Sequence, residues 1–219
     1  MVWGGLFLSW YRPSREQQKA CVASAGGFNY DSNFHGASSS SSTKEKKEKE
    51  EELAKNGFSI NQSRILLGSG SETFHLAKSA LLSWKHFGLD WAFVNPETPV
   101  KTGTMFCACV KELVPWVMMP LQIAYVTDEV SRPSGSTPAM AAFSFGSGTL
   151  QGHLLAGEER FSIQWDENDQ VWYEIFSLSK PAHVLSVICY PYVQFRQKYF
   201  ARQSTLAVLK HVNAQHSKS

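Results

Sequence analysis

The sequence contains no uncharged apolar run long enough to form a membrane-spanning helix. Such a helix needs roughly 18 to 20 residues, whereas the two best candidates, residues 113–127 and 181–195, have 15 residues each and contain prolines. The apolar residues 1–10 lack a preceding basic segment and an evident cleavage site, so we predict no signal peptide. We therefore expect a cytosol-facing protein, whose membrane role, if any, is peripheral or formed by strands.

Cysteine is scarce as well. The four cysteines, Cys21, Cys107, Cys109 and Cys189, are too few and too scattered to form the framework of a small disulfide-rich domain. No metal-ligand spacing joins them to the seven histidines. We therefore predict reduced thiols, no metal site and no cofactor.

The chain also lacks the concentrated basic surface of a nucleic-acid-binding protein, because 21 Lys and Arg against 19 Asp and Glu give a net charge of +2. We predict no nucleic-acid partner. No acidic residue follows Glu174, however, and the sequence predicts a basic membrane-facing set near the C-terminus: Lys180, Arg196, Lys198, Arg202 and Lys210. This set would attract anionic lipid. We expect the apolar side of the last helix to pack on the sheet, so the attraction would be mainly electrostatic.

Composition divides the chain into three parts. Residues 1–36 mix aromatic and polar side chains and are predicted to pack on the core. Residues 37–56 are a low-complexity Ser/Lys/Glu segment, in which five Lys and five Glu cancel between positions 44 and 55. We expect a mobile, solvated surface loop with a fraying helical end there, rather than a docking element, and its removal would change stability little. Residues 57–213 are predicted to form a single α+β domain.

Within residues 57–213, apolar periodicity predicts one strand, an amphipathic helix, a meander of strands and a long helix. The first helix follows a capping-box pattern at Ser69 and Glu72. The last helix is entered at Ser179-Lys-Pro181 and kinks at Pro191. The predicted strands are 58–67, 91–94, 104–110, 121–126, 140–145, 159–165 and 171–178. The predicted fold is a curled antiparallel sheet of about six to seven strands around the long C-terminal helix, a helix-grip-like arrangement with one further amphipathic helix.

The stretch from Gly146 to Phe161 concentrates glycines, a histidine and two adjacent carboxylates between two predicted strands. It supplies most of the candidate site, which comprises Gly148, Thr149, Gly152, His153, Gly157, Glu158, Glu159, Ser179, Lys180 and Pro181. A histidine near carboxylates is the minimum for acid-base catalysis. In the alternative, structural interpretation, the glycines set turns, His153 caps a backbone carbonyl, and a carboxylate pairs with a basic residue of the last helix. Strand alternation places Glu159 on the inward face, where a carboxylate needs a partner.

These motifs resemble an uncharacterised protein family, numbered 0548, that occurs in bacteria and plants. The resemblance is carried by Gly148-Thr-Leu-x-Gly-His153, Gly157-Glu-Glu-x-Phe161, Ser179-Lys-Pro-Ala182, Leu82-x-Trp84 and the glycines at 68 and 70. The spacing from Trp84 to Trp91 resembles plant members. Ser147 and Lys180 stand where bacterial relatives tend to have Tyr and Arg. The plant resemblance implies a pore-like protein of the chloroplast outer envelope.

Three functions remain open from the sequence. The first is a non-catalytic binding module for an apolar or amphipathic small molecule or lipid, held on the concave side of the sheet. The second is a pore or channel-like protein associated with the chloroplast outer envelope. The third is an enzyme that uses a His/Glu site. The sequence leaves the oligomeric state open.

Overall fold

The computed structural model describes residues 2–3, 6–39, 43–131 and 140–217. The strands are β1 Val2–Trp3, β2 Leu6–Ser9, β3 Ser59–Ser69, β4 Ala92–Phe93, β5 Met105–Lys111, β6 Trp116–Ser131, β7 Met140–Thr149, β8 Leu155–Trp165 and β9 Gln170–Pro181. The α-helices are α1 Arg15–Ala23, α2 Thr43–Lys55, α3 Gly70–Leu82, α4 Val184–Ile188 and α5 Tyr190–His216. Short 3-10 turns cover Ser32–Phe34, Ala37–Ser39 and Lys85–Phe87.

All strands of the described residues join one antiparallel sheet. Seven of them follow the order β1-β2-β6-β7-β8-β9-β3, while β5 pairs with β6 and β4 pairs with β5. Both β2 and β5 pair with the first residues of β6, so they lie on opposite edges of that strand. The curled antiparallel sheet with a long C-terminal helix confirms the predicted α+β fold.

The inner face of the sheet packs against α3 and α5. Alternate residues of β7, β8 and β9 supply aromatic and aliphatic side chains, among them Phe145, Phe161 and Tyr173, which are at most 1% exposed. They meet Trp84 and the last turns of α5 in one apolar cluster. Period-two alternation therefore places the main core between the sheet and the helices.

The outer face is covered by the N-terminal part of the chain. Residues 26–39, which we call the strap, cross β7 and β8, while α2 packs on the outer side of β3 and β9. The prediction of a solvated loop over residues 37–56 is wrong for residues 37–39 and for the helix that follows from residue 43, and residues 40–42 lie outside the described part of the chain. Ser38 and Leu53 are each 1% exposed, and residues 43–55 are helical. Lys and Glu are good helix formers, and Leu53 anchors the helix on Phe58 and Phe176.

The chain after β9 also differs from the prediction. Ser179, Lys180 and Pro181 still belong to the strand, rather than starting a helix. The helix α4 begins after His183, whose Nδ1 accepts a hydrogen bond from the Leu185 amide at 3.2 Å. Instead of a kink within one helix, α4 ends at Cys189 and α5 starts anew, with proline in its first turn. This proline lacks an amide hydrogen and is tolerated there.

The start of α3 is a further correction. Ser69 is the N-cap residue, but its side chain makes no capping hydrogen bond, so the predicted capping box with Glu72 is absent. The Thr73 hydroxyl instead donates to the Ser69 carbonyl oxygen at 2.7 Å. Gly68 and Gly70 have φ values of +149° and +84°, and a β-bulge interrupts the pairing at this point. Glycine adopts this left-handed backbone with less strain than other residues.

Candidate functional site

His153 lies in the turn before β8 and hydrogen-bonds locally. Its Nδ1 accepts from the Leu155 amide at 2.9 Å, and the side chain is buried. Burial lowers the pKa of His153 to about 4, an effect that its backbone contact with Leu155 opposes only in part. The ring is therefore neutral near pH 7 and stabilises the turn. The same nitrogen lies 3.0 Å from the Leu155 carbonyl oxygen, which is the backbone-carbonyl contact that the structural interpretation of the sequence expected.

Glu158 and Glu159 lie on opposite faces of β8. Glu158 points to the outer face, and the strap surrounds its carboxylate with four hydrogen-bond donors. Tyr30 donates at 2.8 Å, the Gly36 amide at 2.6 Å, and Ser38 from both its amide, at 3.0 Å, and its hydroxyl, at 2.7 Å. Glu158 is 3% exposed. Four donors compensate the desolvation of a buried carboxylate, so Glu158 holds the strap in place.

Gly148, Thr149 and Gly157 of the central motif also shape the surface on which the strap packs. A Cβ at Gly148 would clash with the Tyr30 hydroxyl and would lie 2.6 Å from the Phe28 ring. Thr149 donates its hydroxyl to the Asn29 side-chain oxygen at 2.5 Å and accepts from the Gly157 amide at 2.9 Å. The motif therefore forms the surface of β7 and β8 on which the strap packs, and we call this surface the seat. The predicted set Gly148, Thr149, Gly157 and Glu158 is brought together by this seat, without His153 or Glu159.

The remaining predicted residues make other contacts, although Ser179 pairs with Gly157 across β8 and β9. Gly152 has a φ of +93° in the turn that precedes β8. Lys180 reaches the Asn56 carbonyl at 3.4 Å and lies 4.5 Å from the centre of the Phe58 ring. Ser179 accepts from the Gln197 side chain at 2.9 Å. Pro181 ends β9. The predicted His/Glu catalytic arrangement is therefore not formed, because its three members point to different surroundings.

A polar row crosses the inner face, beside the apolar core. Strand pairing aligns Ser147, Glu159, Ser177 and Asn61 on β7, β8, β9 and β3. Burial raises the pKa of Glu159 to about 8. No ion pair joins this carboxyl to a basic side chain within the described ranges. The expectation that Glu159 pairs with a charged partner is therefore wrong. Burial favours its neutral, protonated form.

Two further polar atoms are buried near this row without a hydrogen-bond partner among the described residues. They are the Asn61 amide nitrogen and the Gln197 amide oxygen. Gln197 lies on α5 and reaches the row through Ser179, two residues beyond Ser177 on the same face of β9. Sequence reasoning identified Glu159 by strand alternation but missed both amides. No spacing along the chain relates position 61 to position 197.

The outer face also contains an ion pair that the sequence did not predict. Arg160 and Glu174 are buried neighbours on β8 and β9 and form a salt bridge. Gln62 donates to the second carboxylate oxygen of Glu174 at 2.8 Å. The Arg160 guanidinium lies 5.5 Å from the centre of the Phe176 ring. Hydrogen bonds to both oxygens offset the desolvation of this pair.

An open groove of about 530 Å³ lies beside the strap, on the outer side of β6. Its lining combines aromatic, small and uncharged polar side chains: Phe28, His35, Gly36, Ser39, Thr102, Gly103, Gln122, Ile123, Ala124, Tyr125 and Thr127. A bulge in β6 between Ile123 and Tyr125 forms part of the wall. The Tyr125 hydroxyl is 2.8 Å from the Ser38 hydroxyl, which links the groove to the Glu158 network. Burial raises the pKa of Tyr125 to about 12, so its hydroxyl stays protonated.

The predicted basic set is only partly available to solvent. Arg196 forms a salt bridge with Glu112 at 3.1 Å and lies 4.1 Å from the centre of the Trp91 ring. Lys198, Arg202 and Lys210 are exposed on α5. No described helix is both long and apolar enough to cross a membrane. Over the same residues, no group of three or more His, Cys, Asp or Glu side chains is placed to hold a metal ion.

Comparison with known proteins identifies relatives over almost the whole chain. The chain is 59% identical over 209 residues to a UPF0548 protein of Arabidopsis thaliana, an alignment that covers 95% of this chain and 99% of the relative. It is 34% identical over 167 residues to a UPF0548 protein of Dictyostelium discoideum, covering 73% and 75%. A UPF0548 protein of Deinococcus radiodurans is 30% identical over 151 residues, covering 64% and 71%.

Solved structures show more distant similarity. A hypothetical protein from Helicobacter pylori aligns with a TM-score of 0.42 at 12% identity, over 71% of this chain and 87% of that protein. The protein Ara h 8.0201 aligns with a TM-score of 0.40 at 9% identity, over 72% and 99%. The profile described as "Domain of unknown function (DUF1990)" matches residues 42–207. This chain therefore belongs to the UPF0548 family and carries its DUF1990 domain.

Proposed function

We propose that this protein is a non-catalytic binding module for an uncharged amphipathic small molecule, which occupies the groove between the strap and β6. The observation that supports this proposal is the groove itself. Its volume of about 530 Å³ lies within the range of roughly 300 to 1,000 Å³ that small-molecule sites occupy. The concave side of the sheet, where the sequence placed the ligand, is instead filled by core side chains such as Phe145 and Phe161.

The lining specifies the chemical class of the ligand. Phe28 and the Tyr125 ring offer apolar contact, while Gln122, Thr127 and the Tyr125 hydroxyl offer neutral hydrogen-bonding groups. Among the described residues that line the groove, none is Asp, Glu, Lys or Arg. A charged ligand would lose its hydration there without gaining an opposite charge. The groove therefore suits an uncharged molecule with a ring or apolar face and with hydroxyl or amide groups.

Binding without catalysis is favoured because the groove contains few groups that could transfer a proton. Its titratable side chains are His35 and Tyr125, and the raised pKa of Tyr125 keeps its hydroxyl protonated. His153 and Glu159 are not among its lining residues. Neither a His/Glu enzyme nor a pore at the chloroplast outer envelope is proposed, since no contact of the described residues favours either.

Saturation-transfer NMR with phenyl glucoside, catechol and cyclohexanediol as probes tests the proposal. We expect at least one probe to bind. Gln122→Ala, which removes a hydrogen-bonding group of the lining, should weaken binding about tenfold. Gln164→Ala is the matched control, because Gln164 is a half-buried residue on the same outer face but outside the groove. Absence of binding by all three probes, or an equal loss in both variants, contradicts the proposal.

A further inference from the structure

The two C-terminal helices expose several large apolar side chains. Val184 is 63% exposed, Ile188 71%, Phe195 61% and Leu206 46%. The sequence predicted that this apolar stripe would pack on the sheet, and that prediction is wrong. The sheet is contacted instead by the opposite side of α5, which includes Ser204, Val208 and Val212. Exposed apolar side chains of this size and number are typical of an interaction surface.

Basic residues alternate with the apolar ones along this surface. At 100° per residue, one side of α5 combines three apolar and three basic positions. We call this side, together with the exposed residues of α4, the C-terminal face; its α5 members are Phe195, Lys198, Tyr199, Arg202, Leu206 and Lys210. From position 195 to position 210 it extends for about 22 Å, at about 1.5 Å per residue.

The charge of this face has one sign. Residues 175–219 contain no Asp or Glu. Within the described ranges, no salt bridge joins Lys198, Arg202 or Lys210 to an acidic side chain. Arg196, by contrast, is already paired with Glu112. The three exposed cations are therefore available to an external anionic partner.

We propose that the C-terminal face docks on an anionic lipid bilayer, with its apolar side chains between the headgroups and its cations against lipid phosphates and carboxylates. Lys and Arg bury their aliphatic stems while their charges reach the polar layer. A second copy of the chain fits this face less well. A twofold interface brings the same patch against itself, so the cations of one copy would face the cations of the other, and residues 175–219 supply no acidic side chain to pair with them.

The apolar contribution distinguishes this docking from a purely electrostatic attraction. At 0.5 M salt the Debye length is about 4 Å, so attraction by the three cations is strongly screened. Burial of Phe195, Ile188 and Leu206 is not screened by salt. Binding should therefore weaken at high salt without being abolished, and alkaline carbonate should release the protein because the proposed contact is with the bilayer surface.

Flotation of the full chain with vesicles tests the proposal. We expect binding to phosphatidylcholine vesicles containing 30% phosphatidylserine that is at least fivefold stronger than binding to pure phosphatidylcholine. Lys198→Glu with Arg202→Glu should reduce it at least tenfold, because each basic residue near an anionic surface contributes about a fivefold factor. Lys19→Glu with Lys101→Glu is the matched control, since both lysines are exposed elsewhere.

Phe195→Ser should remove most of the salt-resistant binding, whereas Leu113→Ser should not, although Leu113 is 88% exposed. Absence of binding to the anionic vesicles overturns the proposal, as does an equal loss in the lysine controls. Retention of the protein on vesicles after alkaline carbonate would indicate an integral protein and would also overturn it. A dimer in sedimentation that Phe195→Ser dissociates, without lipid binding by the parent, would assign the face to a second copy.

Discussion

Replacing Glu159 by glutamine should stabilise the protein near neutral pH. Glu159 is a half-buried carboxyl on the inner face without a basic partner in the described part of the chain. Burial raises its pKa from 4.5 to about 8. The folded protein therefore holds a proton that the unfolded chain releases above pH 4.5. A raised carboxyl pKa means that folding becomes less favourable as the pH rises from about 4.5 to about 8.

The size of the effect follows from the same pKa values. Each pKa unit corresponds to about 1.36 kcal/mol. Keeping the proton at pH 7, which is 2.5 units above 4.5, costs at most about 3.4 kcal/mol. Because the side chain retains some contact with water, we expect about 2 kcal/mol. Glutamine has nearly the same shape and no charge, so Glu159→Gln removes this cost.

Urea unfolding of both proteins at pH 5, 6, 7 and 8 measures the difference. The variant should gain stability relative to the parent as the pH rises, by about 2 kcal/mol at pH 7, and the two should converge near pH 4.5. Glu129→Gln serves as the control for the same substitution at the surface, because the Glu129 side chain is exposed on β6. A Glu159→Gln difference that is constant from pH 5 to pH 8 would refute the reasoning.

Three other substitutions test other parts of the structure. His86→Leu should raise the free energy of unfolding at pH 5 by about 2 kcal/mol relative to the parent, as measured by urea unfolding. Burial lowers the pKa of His86 from 6.5 to about 3, so the parent loses stability as the pH falls below 6.5. Gly148→Ala should lower the stability measured by thermal unfolding by about 1 to 3 kcal/mol, because its methyl group would clash with the strap. Gly27→Ala should leave the stability unchanged, because a Cβ there would contact nothing within 4 Å. Leu53→Ala should lower the free energy of unfolding by about 2 to 4 kcal/mol. Leu66→Ala, at a position that is 41% exposed, should lower it by less than about 1 kcal/mol. Equal losses of stability in the two variants would contradict the packing of α2 on the sheet.

Local patterns in the sequence were sufficient to predict the sheet and the direction of most side chains. Alternation placed Glu159, Phe161 and Ile163 on the inner face, and the structure confirms this position for all three. Helical periodicity likewise identified α3. Such patterns depend on neighbours a few residues apart, which is the distance over which strand and helix geometry acts.

The candidate site was less predictable because its contacts join distant positions. Tyr30 and Ser38 bind Glu158 across 128 and 120 residues, and no local spacing encodes that meeting. Composition also misled the interpretation of α2. Its many charges suggested solvation, but Leu53, its one large apolar residue, is buried against the sheet. On α5, periodicity identified an apolar stripe correctly but could not determine whether the sheet or the solvent lay beside it.

The hydrogen bonds between the strap and Glu158 on β8 constrain the order in which parts of the fold can form during protein synthesis. The donors Tyr30, Gly36 and Ser38 leave the ribosome about 120 residues before their acceptor Glu158, an interval of about 6 to 24 seconds at typical elongation rates. During that time the strap has no seat, because β7 and β8 do not yet exist. Burial of the Glu158 carboxylate without its hydrogen-bond donors would also be unfavourable. The strap can therefore close over the sheet only after β8 has been synthesised.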